Sequence, residues 1–230
     1  MKRLALILLL LSLVSPAWAG FEEGAAAYRR GDYAAALREF LPLAQQGDAQ
    51  AQFNLGVGYG KGRGVPQDYA EEVKWYRLAA AQGHAQAQYN LGVRYGKGQG
   101  VPQDDAEAVK WYRLAAGQGN AKAQSNLGVM YGEGQGVPKD FGEALKWFRL
   151  AAGQGDAKAQ SNLGFMYGEG RGVPQNYVQA HMWLNLAASR FPPGQQRDIA
   201  VRNRARAASK MTPAQLAEAQ RLAREWKPKK

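Results

Sequence analysis

The chain contains no cysteine in its 230 residues. Disulfide staples, thiolate metal sites and cysteine nucleophiles are therefore excluded. Only two histidines occur, His84 and His181. Neither belongs to an HExxH motif, a Ser/His/Asp order or a cluster of histidines. Acidic residues are scarce, 19 Asp and Glu against 30 Lys and Arg, for a net charge of +11. Most of the acids stand just ahead of apolar helical runs, where they act as caps. This inventory leads us to expect no catalytic residue, no cofactor site and no metal site. Long apolar runs are also missing beyond the first twenty residues, so no membrane-spanning segment is expected in the processed chain.

Those first twenty residues read as a secretory signal. Lys2 and Arg3 form a positive start, and Leu4 to Val14 an apolar stretch too short to span a bilayer. Ala17-Trp18-Ala19 offers an A-x-A cleavage site, which places the mature start at Gly20. Residues 1–19 are thus expected to be removed. The mature protein is expected to be exported, periplasmic in a host with two membranes and secreted otherwise. An uncleaved signal anchor is the other reading.

What the chain has in plenty is repetition. "AQAQFNLGVGYGKGRGVPQDYAEEVKWYRLAAAQGH" covers residues 49–84, and near copies cover 85–120 and 121–156. A fourth, 157–190, decays after Asn176. The segment "GKGQGVPQD" from Gly96 to Asp104 could in principle be a phosphate cradle of backbone N–H groups and one lysine. The repeat argues otherwise. Its lysine is Lys61 and Lys97 in the first two copies but Glu133 and Glu169 in the last two. An anion site does not survive that exchange, and no Gly-Lys-Ser/Thr follows. The glycines are expected instead to end a helix in the left-handed conformation, with Pro66, Pro102, Pro138 and Pro174 stiffening the exit.

Each copy reads as two helices. Ala51, Leu55, Gly56 and Tyr59 make the buried stripe of the first, with the glycine allowing close approach of its partner's backbone. Trp75, Leu78 and Ala79 make the stripe of the second. Asp48, Asn120 and Asp156 are expected N-caps. Asp68/Glu71, Asp104/Glu107, Asp140/Glu143 and Asn176/Gln179 have capping-box spacing. Glu72 stands alone in a column that is otherwise Ala108, Ala144 and Ala180. It is expected either to reach solvent or to leave its hairpin loosely packed. A column of Asn54, Asn90, Asn126 and Asn162 could hold a ligand or tie neighbouring helices. The two histidines read as drift within the repeat.

The pattern AxAQxNLGxxYGxGxGVPxDxxxAxxWYRxAAxQG resembles the Sel-one-like repeat, a relative of the tetratricopeptide repeat with a longer hairpin loop. The resemblance covers residues 49–190 and implies an all-α, right-handed solenoid of stacked helical hairpins. Residues 20–48, with "YRRGDYAAAL", resemble a shorter tetratricopeptide-like hairpin. Residues 191–230 read as capping helices, one from about 197 to 209 and one starting at Thr212 with Pro213 at its first position. Some relatives carrying such repeats are described as β-lactamases, but those are cysteine-rich and disulfide-stapled. Here there is no cysteine and no Ser-x-x-Lys in the repeats, so that activity is not carried over.

The resemblance further implies a curved surface for an unidentified protein or peptide, with the first helices lining the concave side. The stripe expected to face it comprises Gln50, Phe53, Val57 and Lys61, then Gln86, Tyr89 and Val93, Ser125 and Val129, and Ser161 and Phe165. These columns vary while the core columns barely change. A second possibility lies in the tail, where residues 193–230 hold ten basic and three acidic residues. Arg202, Arg204 and Arg206 are its candidate contacts for an anionic envelope surface such as lipid head groups or lipopolysaccharide. A solvated cap is the plainer reading of that tail. Nucleic acid is not expected as a partner of an exported protein.

Overall fold

The computed structural model describes residues 16–228, and twelve α-helices with no strand run through them. The proposed signal segment lies almost wholly outside the described residues. The helices pair as α1 (Pro16–Arg30) with α2 (Tyr33–Gln45), α3 (Ala49–Lys61) with α4 (Tyr69–Ala81), and α5 (Ala85–Lys97) with α6 (Asp105–Gly117). Then come α7 (Ala121–Glu133) with α8 (Phe141–Gly153), and α9 (Ala157–Glu169) with α10 (Tyr177–Arg190). Each pair stacks on the next, so the chain is an α-solenoid. Two more helices, α11 (Gln195–Ala208) and α12 (Pro213–Glu225), follow.

The caps and loops explain the helix bounds. Asp48, Asn120 and Asp156 each accept a backbone N–H from three residues on. His84 does the same through Nδ1, a variant cap at the position that Asp48, Asn120 and Asp156 hold in the other copies. Asp68, Asp104, Asp140 and Asn176 cap the second helices, but the expected capping boxes are only half formed. Glu71, Glu107 and Glu143 turn to Lys74, Lys110 and Lys146 instead. The complete box is at Thr212 and Gln215. The glycine loop begins at Gly62, whose φ of +61° ends α3. It is pinned where Gly64 presses its Cα face on the Tyr33 carbonyl; a Cβ there would lie 2.6 Å from that oxygen. The loop is a turn that docks on the preceding hairpin.

The core stripe of the second helix differs from the expected one. Val73, Trp75, Tyr76, Ala79 and Ala80 are buried, while Leu78 is 45% exposed. The stripe that faces the partner helix runs through Val73, Tyr76 and Ala80 at helical spacing, and Leu78 lies about 200° from Tyr76 around the axis. Gly56 meets both the Tyr76 ring and the partner backbone: a Cβ would stand 2.5 Å from Tyr76 Cε1 and 3.4 Å from the Glu72 carbonyl oxygen. Tyr112, Phe148 and Leu184 fill that position opposite Gly92, Gly128 and Gly164.

Adjacent hairpins are tied by polar straps. The buried Gln88 donates to the Ala80 carbonyl, and its Oε1 accepts from Gln118, which also donates to the Gly83 carbonyl. Gln52 and Gln82 repeat this arrangement one hairpin earlier, and Gln124 with Gln154 carries the side-chain link one hairpin later. Arg77, Arg113 and Arg149 donate to the hydroxyls of Tyr95, Tyr131 and Tyr167. Glu72 neither reaches solvent nor loosens its hairpin. It is 2% exposed and meets Arg94 of α5.

The expectation that both C-terminal helices cover the solenoid end holds for α11 alone. It continues the stack, with Ala200 and Val201 packed on Leu184, Ala187, Ala188 and Phe191. Helix α12 lies on a different face of α10, where Ala223, Leu222 and Trp226 cover Met182 and Leu186.

Candidate functional site

A row of hollows opens along the first-helix side of the stack, one at each junction from α5 onward. The largest, about 370 Å³, lies between α5 and α7 and is lined by Tyr89, Val93, Tyr112, Asn126 and Val129, with Lys158 reaching in from α9. The next, about 110 Å³, lies between α7 and α9 and is lined by Val129, Phe148, Asn162, Phe165 and Arg171. A third, about 90 Å³, sits between α9 and α11, where Phe165 meets Asn203, Arg206 and Lys210.

The structure separates the expected stripe into three groups. Tyr89, Val93, Val129 and Phe165 line the hollows. Gln50 and Gln86 are engaged: they donate to Asn54 and Asn90 one turn on, and accept from His84 and Asn120 of the next helix start. Ser125 is 3% exposed and offers no surface. Phe53, Val57 and Ser161 are half-buried, and Phe53 stacks between Tyr76 and His84 with centroids 5.8 and 4.6 Å away. The Phe53 column changes from aromatic rings in the first two copies to serines in the last two.

The Asn column meets the phenols of the preceding hairpin, Asn90 at Tyr76 and Asn126 at Tyr112 and Tyr89, and the glutamines add further ties. Asn54 and Asn90 accept from Gln50 and Gln86 of their own helices. In the last two copies those glutamines become Lys122 and Lys158. Asn126 and Asn162 consequently line hollows. Burial pushes the Tyr112 hydroxyl up to about 12, with Asn126 acting in the opposite direction. Tyr89 is likewise raised, by burial and then by the charge of Asp156. Both phenols stay protonated donors at neutral pH. The groove thus presents phenol O–H groups, amides and lysine beside Val and Phe. Such a set has the chemistry to hydrogen-bond carbonyls and carboxylates and to pack on apolar groups.

The three tail arginines do not form one cluster. Arg202 is exposed. Arg204 turns inward to donate to Asn185 at 2.6 Å. Arg206 pairs with Glu169 at 3.4 Å and lines the last hollow. Neither histidine faces a hollow: His84 caps α5, and His181 is buried in α10. Among the described residues no group of three His, Cys, Asp or Glu could hold a metal ion. No helix among them is long and apolar enough to cross a membrane.

Stacked hairpins with an open, donor-lined face define a helical repeat architecture. The Sel1 repeat profile matches residues 49–84, 85–120, 121–156 and 157–190. The chain belongs to the Sel1 repeat family, whose members are typically protein-interaction scaffolds and generally non-catalytic. It is similar to a Sel1 repeat protein from Oxalobacter formigenes, at 32% identity over 84% of this chain and 86% of that one, with a TM-score of 0.70. It is also similar to c5321, a protective antigen of uropathogenic Escherichia coli strains displaying an SLR fold. That match has 29% identity, a TM-score of 0.58, and covers 91% of this chain but about half (53%) of the antigen. Comparison with curated proteins gives no match.

Proposed function

We propose that the protein is an exported, non-catalytic scaffold that holds an extended peptide segment of a protein partner in the first-helix groove. The observation that carries this reading is the row of hollows at successive junctions. They fall on the columns that vary between otherwise near-identical repeats. Variation along an open face supports recognition of a non-repetitive ligand. Val93, Val129 and Phe165 supply apolar contact, and Tyr89, Asn126 and Lys158 supply the polar contacts that fix register. The test is photo-crosslinking from positions 93 and 129, compared with position 114 on the opposite side of the hairpin, followed by mass spectrometry. Tyr89→Ala with Val129→Asp should then weaken capture of the crosslinked partner about tenfold, as loss of an interface anchor does. Crosslinks arising from position 114 alone would remove the groove from the account. Nitrocefin should be left unhydrolysed.

Export rests on the charged start, apolar stretch and A-x-A site of residues 1–19. Cleavage before Gly20 would cut within α1 yet leave Phe21 packed on Phe40, with ring centroids 5.4 Å apart. Intact mass of the envelope-fraction protein tests it, and a retained residue 1–19 segment would refute it. A second reading is favoured by the charge of the tail. The exposed Arg202 and Lys210 would dock the protein on an anionic envelope surface. That reading requires binding to anionic vesicles that falls steeply with salt.

A further inference from the structure

The same column of the second helix meets two different fates. Leu78, Leu114 and Leu150 are 45%, 51% and 47% exposed, whereas Leu186 is 6% exposed. The difference is α12. Its apolar stripe, carried by Ala223, Leu222 and Trp226, lies on Met182 and Leu186. Trp226 meets Trp183 edge-on at 6.3 Å, and the Arg190 guanidinium stands 4.5 Å from the Trp226 ring. The fold therefore contains one occupied copy of a seat whose other three copies face solvent.

The open seats differ from the occupied one in charge beside the leucine: Arg190 and Asn185 stand where the other copies have Gln82, Gln118 and Gln154 and Arg77, Arg113 and Arg149. Met182 is replaced by Lys74, Lys110 and Lys146. Each lysine is more than half exposed and pairs only with a glutamate three residues back, Glu71, Glu107 or Glu143. Such exposed pairs are weak and exchange partners readily. Lys74 and Lys146 also lie over the rings of Trp75 and Trp147. An open seat thus offers an exposed leucine with an ammonium group one turn before it. Its complement is a helix like α12 in its apolar stripe, but with carboxylates where it meets the lysines.

We propose that the Leu78–Leu114–Leu150 face docks an acidic amphipathic helix of a partner protein, in the manner in which α12 docks on Leu186. The surface continues an interface the chain already makes with itself, and its basic rim selects the charge of the occupant. It is separate from the groove, so neither proposal depends on the other.

The probe is a fluorescein-labelled synthetic peptide copying residues 212–228 with the substitutions R221E and R224E. Fluorescence anisotropy with the mature full chain should show saturable binding at low salt. L78E/L114E/L150E should weaken it about tenfold, and K74Q/K110Q/K146Q should weaken it and flatten its salt dependence. All six positions are exposed, so circular dichroism and melting temperature should stay at wild-type values for both variants. The groove substitution Val129→Asp should leave peptide binding unchanged. Absent saturation, or equal binding by the leucine variant, overturns the proposal. So does a wild-type dimer in light scattering that L114E converts to monomer, since the face would then be a self-interface. Leucine-dependent binding to anionic vesicles without peptide binding overturns it in favour of a membrane.

Discussion

The carboxylate of Glu72 and the guanidinium of Arg94 join the first 36-residue hairpin to the second from inside the stack. Arg94 Nη2 donates to Oε1 at 2.9 Å, and its Nε stands 2.7 Å from Oε2 without the alignment of a hydrogen bond. Arg94 also lies 4.6 Å from the centroid of the Tyr69 ring, and Gly60 leaves room for the carboxylate. The two positions change together along the chain. Where Glu72 becomes Ala108 or Ala144, Arg94 becomes Met130 or Met166. An ionic joint and an apolar joint are thus alternative solutions to one junction.

That equivalence predicts a double-mutant cycle. Glu72→Ala strands a mostly buried guanidinium and should cost about 3 kcal/mol, and Arg94→Met strands the carboxylate at similar cost. The pair E72A/R94M recreates the Ala–Met joint and should recover most of the loss. Urea unfolding measures all four corners. Additive losses in the double variant would show that the two side chains do not act as a unit.

The loop glycines should separate by mechanism. Gly98 holds φ at +63° with a Cβ position 3.2 Å from Gln103 Cβ, whereas Gly100, at φ +74°, would place a Cβ 2.1 Å from the Tyr69 carbonyl oxygen. Gly98→Ala should cost about 1 kcal/mol for the left-handed backbone. Gly100→Ala adds a backbone collision between hairpins and should cost about 2 to 4 kcal/mol. Lys97→Glu, which recreates the residue of the third and fourth copies, should stay within about 0.5 kcal/mol. Equal melting temperatures for the two glycine variants would contradict the docked-turn geometry.

Much of the architecture was legible because four copies repeat one message. The period, the two helices per copy, the left-handed glycines and the Asp and Asn caps needed only local chemistry. Legibility failed where a residue's partner lies a whole repeat away. Gln52, Gln88 and Gln124 look like solvent-facing glutamines in sequence, yet each bonds a glutamine 30 residues on. Leu78 looked buried because leucine usually is, whereas its angle from Tyr76 places it outside. The seat of α12 had a signal that went unread, the change from lysine to Met182 in one column. In the candidate groove, Tyr89, Val93, Val129 and Phe165 line hollows. Ser125 could not be placed without knowing how deeply a small side chain sinks between rings.

The glutamine straps predict an asymmetry between two neighbouring columns. Gln88→Ala removes the acceptor for Gln118 and the donor to the Ala80 carbonyl in a buried site, and should cost about 2 kcal/mol. Asn90→Ala removes the bond from Gln86 and the contact with the Tyr76 hydroxyl on the half-buried side of the same helix, where water can replace them. Its cost should stay below about 1 kcal/mol. Hydrogen exchange should show early opening at the hairpin junction in the first variant and wild-type protection in the second. The reverse order would mean that the Asn column carries the stack.

The buried His181 makes the C-terminal end acid-sensitive. It occupies the column of Val73, Val109 and Leu145, is 6% exposed, and its Nδ1 has no hydrogen-bond partner. Burial lowers its pKa below the ordinary histidine value of 6.5, and the positive charge of Arg204 lowers it further. The neutral ring is therefore favoured in the folded state. The unfolded chain takes up the proton first as pH falls through about 6.5, so the stability from the neutral ring is full above that value and is lost progressively below it. His84 is also lowered, by burial, and contributes in the same direction. The comparison that isolates His181 is His181→Leu, which restores the apolar residue of Leu145. Thermal melts at pH 7.5 and pH 5.0 should show a smaller acid shift in the variant than in the wild type, with His84 present in both. An identical shift would assign the sensitivity to the His84 cap, where protonation of Nδ1 removes the acceptor for the Ala87 N–H.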